Sequence, residues 1–165
     1  MTSSSPHLPT RSSTVTATSS GAGPGRGGAL WTNGRTAAMR VDGRDSPLTP
    51  NADSRLVDLN LDPPFPSAPT ISAVALAADP AFFSSFRLRV VSSTIALAWV
   101  ASGQRAAYVT DGDVQHRNVH FSAGLAVCRA AGCVITDLSG EEGGAGALVA
   151  ADADTHRTLL RILNK

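Results

Sequence analysis

The stretch LRVVSSTIALAWVASGQRAAYVT, residues 88–110, decides the fold class of this chain. Its β-branched start, Leu88–Val91, predicts a short strand. The apolar run Ser93–Ala101 predicts a helix, and because that helix is apolar on nearly every face we expect it to be buried on more than one side. Ala106–Thr110 then predicts a second strand. The stretch therefore indicates a strand–helix–strand unit.

The residues that flank this helix favour its two ends. Ser92 or Ser93 is the predicted N-cap, since a hydroxyl there can accept a hydrogen bond from a helix N–H group. Gly103 is the predicted C′ residue, where the backbone turns left-handed.

Further elements are predicted on both sides. The apolar run Ile71–Ala77 is consistent with either a buried strand or a buried helix. Downstream, the pattern predicts a helix ended by Gly132, two strands and a last helix capped by Asp154: Ser122–Ala131, Cys133–Leu138, Ala147–Ala151 and the segment that contains Leu159–Leu163. Strands that alternate with helices predict an α/β domain of layered sheet and helices.

Composition limits the classes of function. A length of 165 residues suggests one domain, and 42% hydrophobic residues exclude a fully disordered chain. A net charge of +1 gives no general electrostatic reason to bind nucleic acid or a membrane surface. The sequence has no apolar run long enough for a spanning helix. We therefore expect neither a nucleic-acid nor a membrane partner.

The N-terminal part has a different composition. Residues 1–28 are of low complexity, with Ser and Thr supplying 12 of the first 20, and we expect them to be disordered. Residues 29–69 are predicted to be loosely ordered, with one short strand around Leu56–Leu61, before firm order begins at Thr70. The chain starts without the apolar segment of a secretory signal. Its Ser- and Thr-rich start, with no acidic residue before Asp42, weakly resembles an organelle transit peptide. The Ala- and Arg-rich remainder fits a cytoplasmic protein at least as well, and a cytoplasmic location is expected.

The two cysteines, Cys128 and Cys133, both lie in small apolar surroundings. We predict that they are free and buried as small hydrophobic residues. A disulfide is the alternative, but it has no secretory signal to support it.

One acid–histidine cluster is the candidate for a metal site. It consists of Asp111, Asp113, His116 and His120. The cluster is either an ordinary turn with solvated histidines or a mixed nitrogen and oxygen site for manganese or zinc. Ser122 is likewise either a nucleophile or, more in keeping with its neighbours, a helix cap.

The glycine-rich Gly23–Gly28 matches the spacing of a dinucleotide-binding loop, but no strand precedes it and no helix follows it. We therefore reject that interpretation.

Several short motifs resemble, in order, those of one enzyme family. They are Gly28–Gly34, Arg89–Ser93, Val100–Gly103, Val119–Gly124 and Ala130–Asp137. Together they resemble the C-terminal half of the inositol monophosphatase family, which consists of magnesium-dependent phosphatases of sugar and polyol phosphates. The resemblance implies the fold of that half. It also implies that Ser92, Ser93 and His120 bind substrate, a phosphorylated polyol or sugar.

The departures from the family pattern concern the metal. The resemblance implies magnesium ligands in an upstream glutamate and an Asp-Pro-x-Asp-Gly-Thr motif, but no glutamate precedes Glu141 and Asp62-Pro63-Pro64 lacks the rest of the motif. The family's remaining metal aspartate is matched by His120, and the glycine before the serine pair by Val91. We therefore expect no catalytic residue, no metal ligand and no cofactor in this chain.

Three hypotheses follow for function. The chain is a truncated phosphatase that is inactive alone, or a non-catalytic module of the same fold that binds a phosphorylated ligand or associates through an exposed sheet edge, as a homo-oligomer or with a partner. The third hypothesis is an enzyme with an altered metal, held by Asp111, Asp113, His116 and His120.

Overall fold

The computed structural model describes residues 13–17, 28–61, 72–111, 119–144 and 146–165. They form two sheets and five helices. The first sheet is antiparallel, and its strands follow one another in space as they do along the chain: β1 (Ser13–Ala17), β2 (Gly28–Thr32), β3 (Ala37–Val41) and β4 (Arg44–Pro47). The turn between β2 and β3 forms around Asn33, whose side-chain oxygen accepts the N–H groups of Arg35 and Thr36. Residues Gly28–Gly34 therefore form β2 and the start of the turn that joins it to β3.

The second sheet is mixed and has the spatial order β6-β5-β7-β9-β8. Its strands are β5 (Leu56–Asn60), β6 (Arg87–Val90), β7 (Ala107–Thr110), β8 (Val134–Thr136) and β9 (Ala147–Ala150). Strands β5, β6 and β7 are mutually parallel, whereas β9 runs antiparallel to both β7 and β8. Strand β8 therefore points in the same direction as β7.

The helices lie on both faces of the second sheet. They are α1 (Ser72–Ala78), α2 (Pro80–Ser85), α3 (Ile95–Ala101), α4 (Val119–Ala131) and α5 (Ala153–Leu163). Because successive residues of a strand face opposite sides, Tyr108 of β7 joins a core with α3, α4 and the first sheet, while Val109 joins a core with α1, α2 and α5. The layers are thus sheet, helices, sheet, helices. This is the α/β layered class that the sequence predicts.

Several predicted elements are confirmed with small changes of boundary. Ile71–Ala77, left open between strand and helix, is helix α1. Helix α3 is buried along most of its length and is followed by Gly103 at φ +74°, and α4 is followed by Gly132 at φ +93°. Both cysteines are free, Cys128 fully buried and Cys133 half-buried.

Residues 29–69 were expected to be loosely ordered with one short strand around Leu56–Leu61, and that strand is present as β5 (Leu56–Asn60). Strand β5 lies between β6 and β7, and its Val57 and Leu59 are fully buried. Order therefore begins before Thr70. Disorder was also predicted across residues 1–28, but Ser13–Ala17 forms β1 in register with β2. The partners of β5, strands β6 and β7, lie far along the chain, so the local composition of residues 29–69 gives no sign of them.

Three predicted helix caps are wrong. Helix α3 has Thr94 as its N-cap, without a side-chain cap bond, in place of Ser92 or Ser93. Ser122 lies inside α4, which begins three residues earlier. Asp152, not Asp154, caps α5, because its side chain accepts the N–H of Thr155 at 2.7 Å.

Candidate functional site

The parallel strands β5, β6 and β7 all end on one side of the second sheet, which we call the carboxyl edge. This edge consists of Asn60, the segment Val91–Ser93, Thr110 and Asp111. The register pairs Asn60 with Thr110, and the Val91 N–H donates to the Leu59 carbonyl at 3.0 Å. In open α/β sheets, ligands bind outside the carboxyl ends of the strands. The carboxyl edge is therefore the candidate site.

The segment between β6 and α3 contributes two hydroxyl groups to this edge. Ser92 and Ser93 are both exposed, and the Ser93 hydroxyl accepts the N–H of Ile95 at 3.3 Å. Val91, which stands where the family pattern has glycine, is half-buried and packs against the core beneath α3 and α4. The two predicted serines thus lie together at the carboxyl edge, beside a side chain that is directed to the core.

Asp111 has a structural partner. One carboxylate oxygen accepts the N–H of Ser72 at 2.9 Å and the other accepts the N–H of Ala73 at 2.8 Å. These are the first backbone donors of α1, which otherwise lack partners within the helix. Asp111 is buried, so its carboxylate holds the start of α1 to the end of β7.

His120 is the second residue of α4, and the structure describes its backbone position only. Asp113 and His116 lie outside the described residues. Within the described ranges, no group of three or more His, Cys, Asp or Glu residues could hold a metal ion.

The oxygen donors of the carboxyl edge can be compared with the ligands that magnesium requires. It requires near-octahedral oxygen ligation, usually with one or two carboxylates, and the Asp111 carboxylate already accepts two backbone N–H groups. The described residues of the carboxyl edge do not fit magnesium. No chemical step through a metal is derived from them.

A second acidic group, which the sequence analysis missed, lies on β5. Asp58 has no exposed side-chain surface, and the Arg105 Nε lies 3.1 Å from each of its carboxylate oxygens. The Arg105 guanidinium also lies over the Trp99 ring, 4.6 Å from its centroid. Burial raises the pKa of Asp58, while Arg105 and the nearby Arg89 oppose that rise. Arg105 therefore connects the segment before β7 with Asp58 of β5 and, through Trp99, with helix α3. No sequence signal links residues 47 positions apart.

The loop after β8 reaches the same side of the sheet, because β8 is parallel to β7. Asp137 there accepts hydrogen bonds from the Ser139 N–H at 2.7 Å, the Ser139 hydroxyl at 2.6 Å and the Glu141 N–H at 3.0 Å. These bonds, above all that from the Ser139 hydroxyl, lower the pKa of Asp137. The carboxylate is engaged in shaping its own loop.

Gly146 connects this loop with β7. Its φ is +73°, and a Cβ there would lie 2.6 Å from the Thr110 carbonyl oxygen and 2.7 Å from the Leu138 side chain. Only glycine fits both the backbone conformation and the space.

His156 belongs to a structural contact behind this loop. The Thr136 hydroxyl donates to the Asp137 carbonyl at 2.8 Å, so its oxygen accepts the Nε2–H of His156, also at 2.8 Å. Burial lowers the pKa of His156. The arrangement favours a neutral imidazole with the proton on Nε2.

The two-sheet α/β fold matches a known family. The inositol monophosphatase family model matches residues 39–165, and the chain belongs to this family. The resemblance predicted from Arg89–Ser93 and its neighbours is confirmed. No match was found among curated proteins.

Solved structures show the same fold. SuhB of Mycobacterium tuberculosis is 19% identical, with a TM-score of 0.60, and the match covers 83% of this chain and 55% of that one. An IMPase of Thermotoga maritima is 16% identical, with a TM-score of 0.58 and coverages of 83% and 51%. Inositol monophosphatase II of Staphylococcus aureus is 17% identical, with a TM-score of 0.53 and coverages of 84% and 62%. This chain thus spans between half and two thirds of the length of these proteins.

Within the described ranges, no helix has the length and apolar character needed to cross a membrane.

Proposed function

We propose that the chain supplies the substrate-binding edge of an inositol monophosphatase-like phosphomonoesterase of sugar or polyol phosphates, and that it does not hydrolyse substrate alone. The observation that carries the proposal is the placement of Ser92 and Ser93, both exposed, at the carboxyl edge of a sheet in a chain of this family. One matched structure is described as inositol monophosphate bound SaIMPase-II, which supports a phosphorylated polyol as the ligand.

The hydroxyl groups suit such a ligand chemically. Each serine hydroxyl can donate one hydrogen bond and accept others, and bonds to an ionised phosphate oxygen are stronger than those between neutral groups. His120, at the start of α4, is proposed to face the same ligand. An imidazole can donate to a phosphate oxygen, but it replaces poorly the carboxylate that a hard cation such as magnesium prefers.

The proposed lack of hydrolysis by this chain rests on the side chains that it offers as metal ligands. In two-metal phosphatases the metals generate the attacking hydroxide and stabilise the leaving oxygen. The Asp111 carboxylate is held by the N–H groups of α1, and His120 stands where the family has an aspartate. Magnesium thus remains a property of the family, and we propose none for this chain.

Calorimetry with inositol monophosphate tests the binding part of the proposal. We expect measurable binding that is lost in the double variant Ser92→Ala, Ser93→Ala and unchanged in Ser102→Ala, which removes a hydroxyl at the opposite end of α3. Equal binding by the double variant would refute the assignment of these serines.

Phosphate release tests the catalytic part. We expect none above background, with or without magnesium. Turnover that is lost on adding EDTA and in His120→Ala would show that the chain is an active enzyme.

Association through a sheet edge is the second candidate function. Strand β6 is the last strand on its side of the second sheet, and its Val90 is 57% exposed. Edge strands with exposed apolar side chains favour pairing with another chain. Sedimentation would show a dimer that Val90→Lys dissociates. A monomer at all concentrations would exclude a homo-oligomer.

The free Cys128 and Cys133 support a reducing compartment, and we propose the cytoplasm.

A further inference from the structure

The C-terminus of α4 brings two cysteines together. The Cys133 N–H donates to the Cys128 carbonyl at 3.0 Å, and the Gly132 N–H donates to the Arg129 carbonyl at 3.1 Å. With Gly132 at φ +93°, these are the two hydrogen bonds of a Schellman motif. A contact between the side chains of the first and last residues, here Cys128 and Cys133, frequently accompanies this motif.

The two thiols differ in their surroundings. Cys128 is fully buried and its Sγ donates to the Leu97 carbonyl of α3 at 3.2 Å, whereas Cys133 is half-buried. The hydrogen bond with the Cys133 thiol, followed by burial, raises the pKa of Cys128. A reagent in solution therefore reaches Cys133 first, and Cys128 is held beside it as a shielded second thiol.

We propose that Cys128 and Cys133 are a modification site: an oxidisable dithiol that a hydroperoxide converts into an intramolecular disulfide. The Cys133 thiolate attacks one peroxide oxygen, the O–O bond breaks, and the released hydroxide takes up a proton, which leaves a sulfenic acid on Cys133. The Cys128 sulfur then attacks the Cys133 sulfur. Its proton joins the departing hydroxide, so that two thiols and one hydrogen peroxide give one disulfide and two waters.

Oxidation would act on the contact between α3 and α4. The disulfide removes the S–H group that donates to the Leu97 carbonyl. Leu97 also packs against Gly124 of α4, where a Cβ would lie 2.6 Å from its Cδ1. Because a backbone hydrogen bond already holds Cys133 next to Cys128 at the end of α4, we expect the disulfide to form without unfolding and the far-ultraviolet circular dichroism to stay unchanged.

Trypsin gives a direct test because Arg129 lies between the two cysteines. The full chain is reduced, treated with graded hydrogen peroxide, denatured, blocked with N-ethylmaleimide and weighed intact, then digested. The reduced protein should carry two maleimide adducts and the oxidised protein none. The mass of the intact oxidised chain should be lower than that of the unblocked reduced chain by two hydrogen atoms. The tryptic peptides ending at Arg129 and starting at Ala130 should then be joined, and dithiothreitol should separate them.

Two variants serve as controls. Cys133→Ser removes the accessible thiol, and Cys128→Ala keeps the buried position apolar, so both should fold. Neither can form the linked peptide, and Cys128→Ala should accumulate a sulfenic acid on Cys133 that dimedone traps. The proposal is overturned if the oxidised wild-type chain keeps both maleimide adducts, forms only disulfide-linked dimers, or carries sulfinic acid without the linked peptide.

Discussion

Arg105, two residues before β7, reaches Asp58 in the middle of β5, and its Nε lies 3.1 Å from each oxygen of the buried carboxylate. The carboxylate has no exposed side-chain surface, and the arginine side chain is 16% exposed. Removing one partner of such a pair leaves a buried charge without compensation.

Arg105→Ala should therefore lower the free energy of unfolding by about 3–5 kcal/mol, the usual cost of breaking a buried pair. Urea unfolding followed by circular dichroism measures it. The matched control is Arg157→Ala, because Arg157 pairs with Asp154 on the surface, with side chains 67% and 89% exposed. That change should stay within about 0.5 kcal/mol. Equal losses in the two variants would contradict the structural role of Arg105.

Asp111→Ala should destabilise the fold by about 0.5–2 kcal/mol, the range for loss of a helix cap. The reason is that the N–H groups of Ser72 and Ala73 lose their acceptor. Asp111→Asn, which keeps one acceptor oxygen, should lose less. Addition of magnesium should leave the melting temperature of the wild-type chain unchanged. A magnesium-induced rise that disappears in Asp111→Asn would show that the carboxylate is a ligand.

Gly124→Ala should destabilise the packing of α3 on α4 by about 1–3 kcal/mol, as overpacking of a core does. The new Cβ would lie 2.6 Å from the Cδ1 and 3.0 Å from the Cβ of Leu97, which is fully buried. A double-mutant cycle with Leu97→Ala, which removes the Cδ1 and keeps the Cβ, measures the coupling. If the clash with the Cδ1 is the main cause, most of the cost of Gly124→Ala is lost in the Leu97→Ala background. An unchanged cost would point to a different cause.

The stability of the fold should depend on pH through His156. Burial lowers its pKa in the folded chain, so the unfolded chain binds a proton more readily than the folded one. The contribution is complete above the ordinary imidazole pKa of about 6.5 and is lost as the pH falls through the lower, folded value. Urea unfolding between neutral and mildly acidic pH measures this slope. His156→Gln, which can still donate to the Thr136 hydroxyl, should flatten it, and an unchanged slope would assign it to other groups.

The candidate site was partly predictable. Ser92 and Ser93 lie between a β-branched run and an apolar run, so their place at a strand–helix junction follows from local pattern. The role of Asp111 at the start of α1 did not follow, because its partners, Ser72 and Ala73, lie 39 and 38 residues away. The local Asp-Gly pattern indicated only a turn.

The sequence by itself determined the alternation of strands and helices from Leu88 onward, the glycine ends of α3 and α4, and the family, since periodicity, left-handed turns and short motifs are local properties. The tertiary structure decided the rest. It placed β5 between β6 and β7 in the second sheet, paired Asp58 with Arg105, and assigned Asp111 to the start of α1. Each of these rests on hydrogen bonds or packing between segments that are distant in sequence, and such contacts exist only once the layers have assembled.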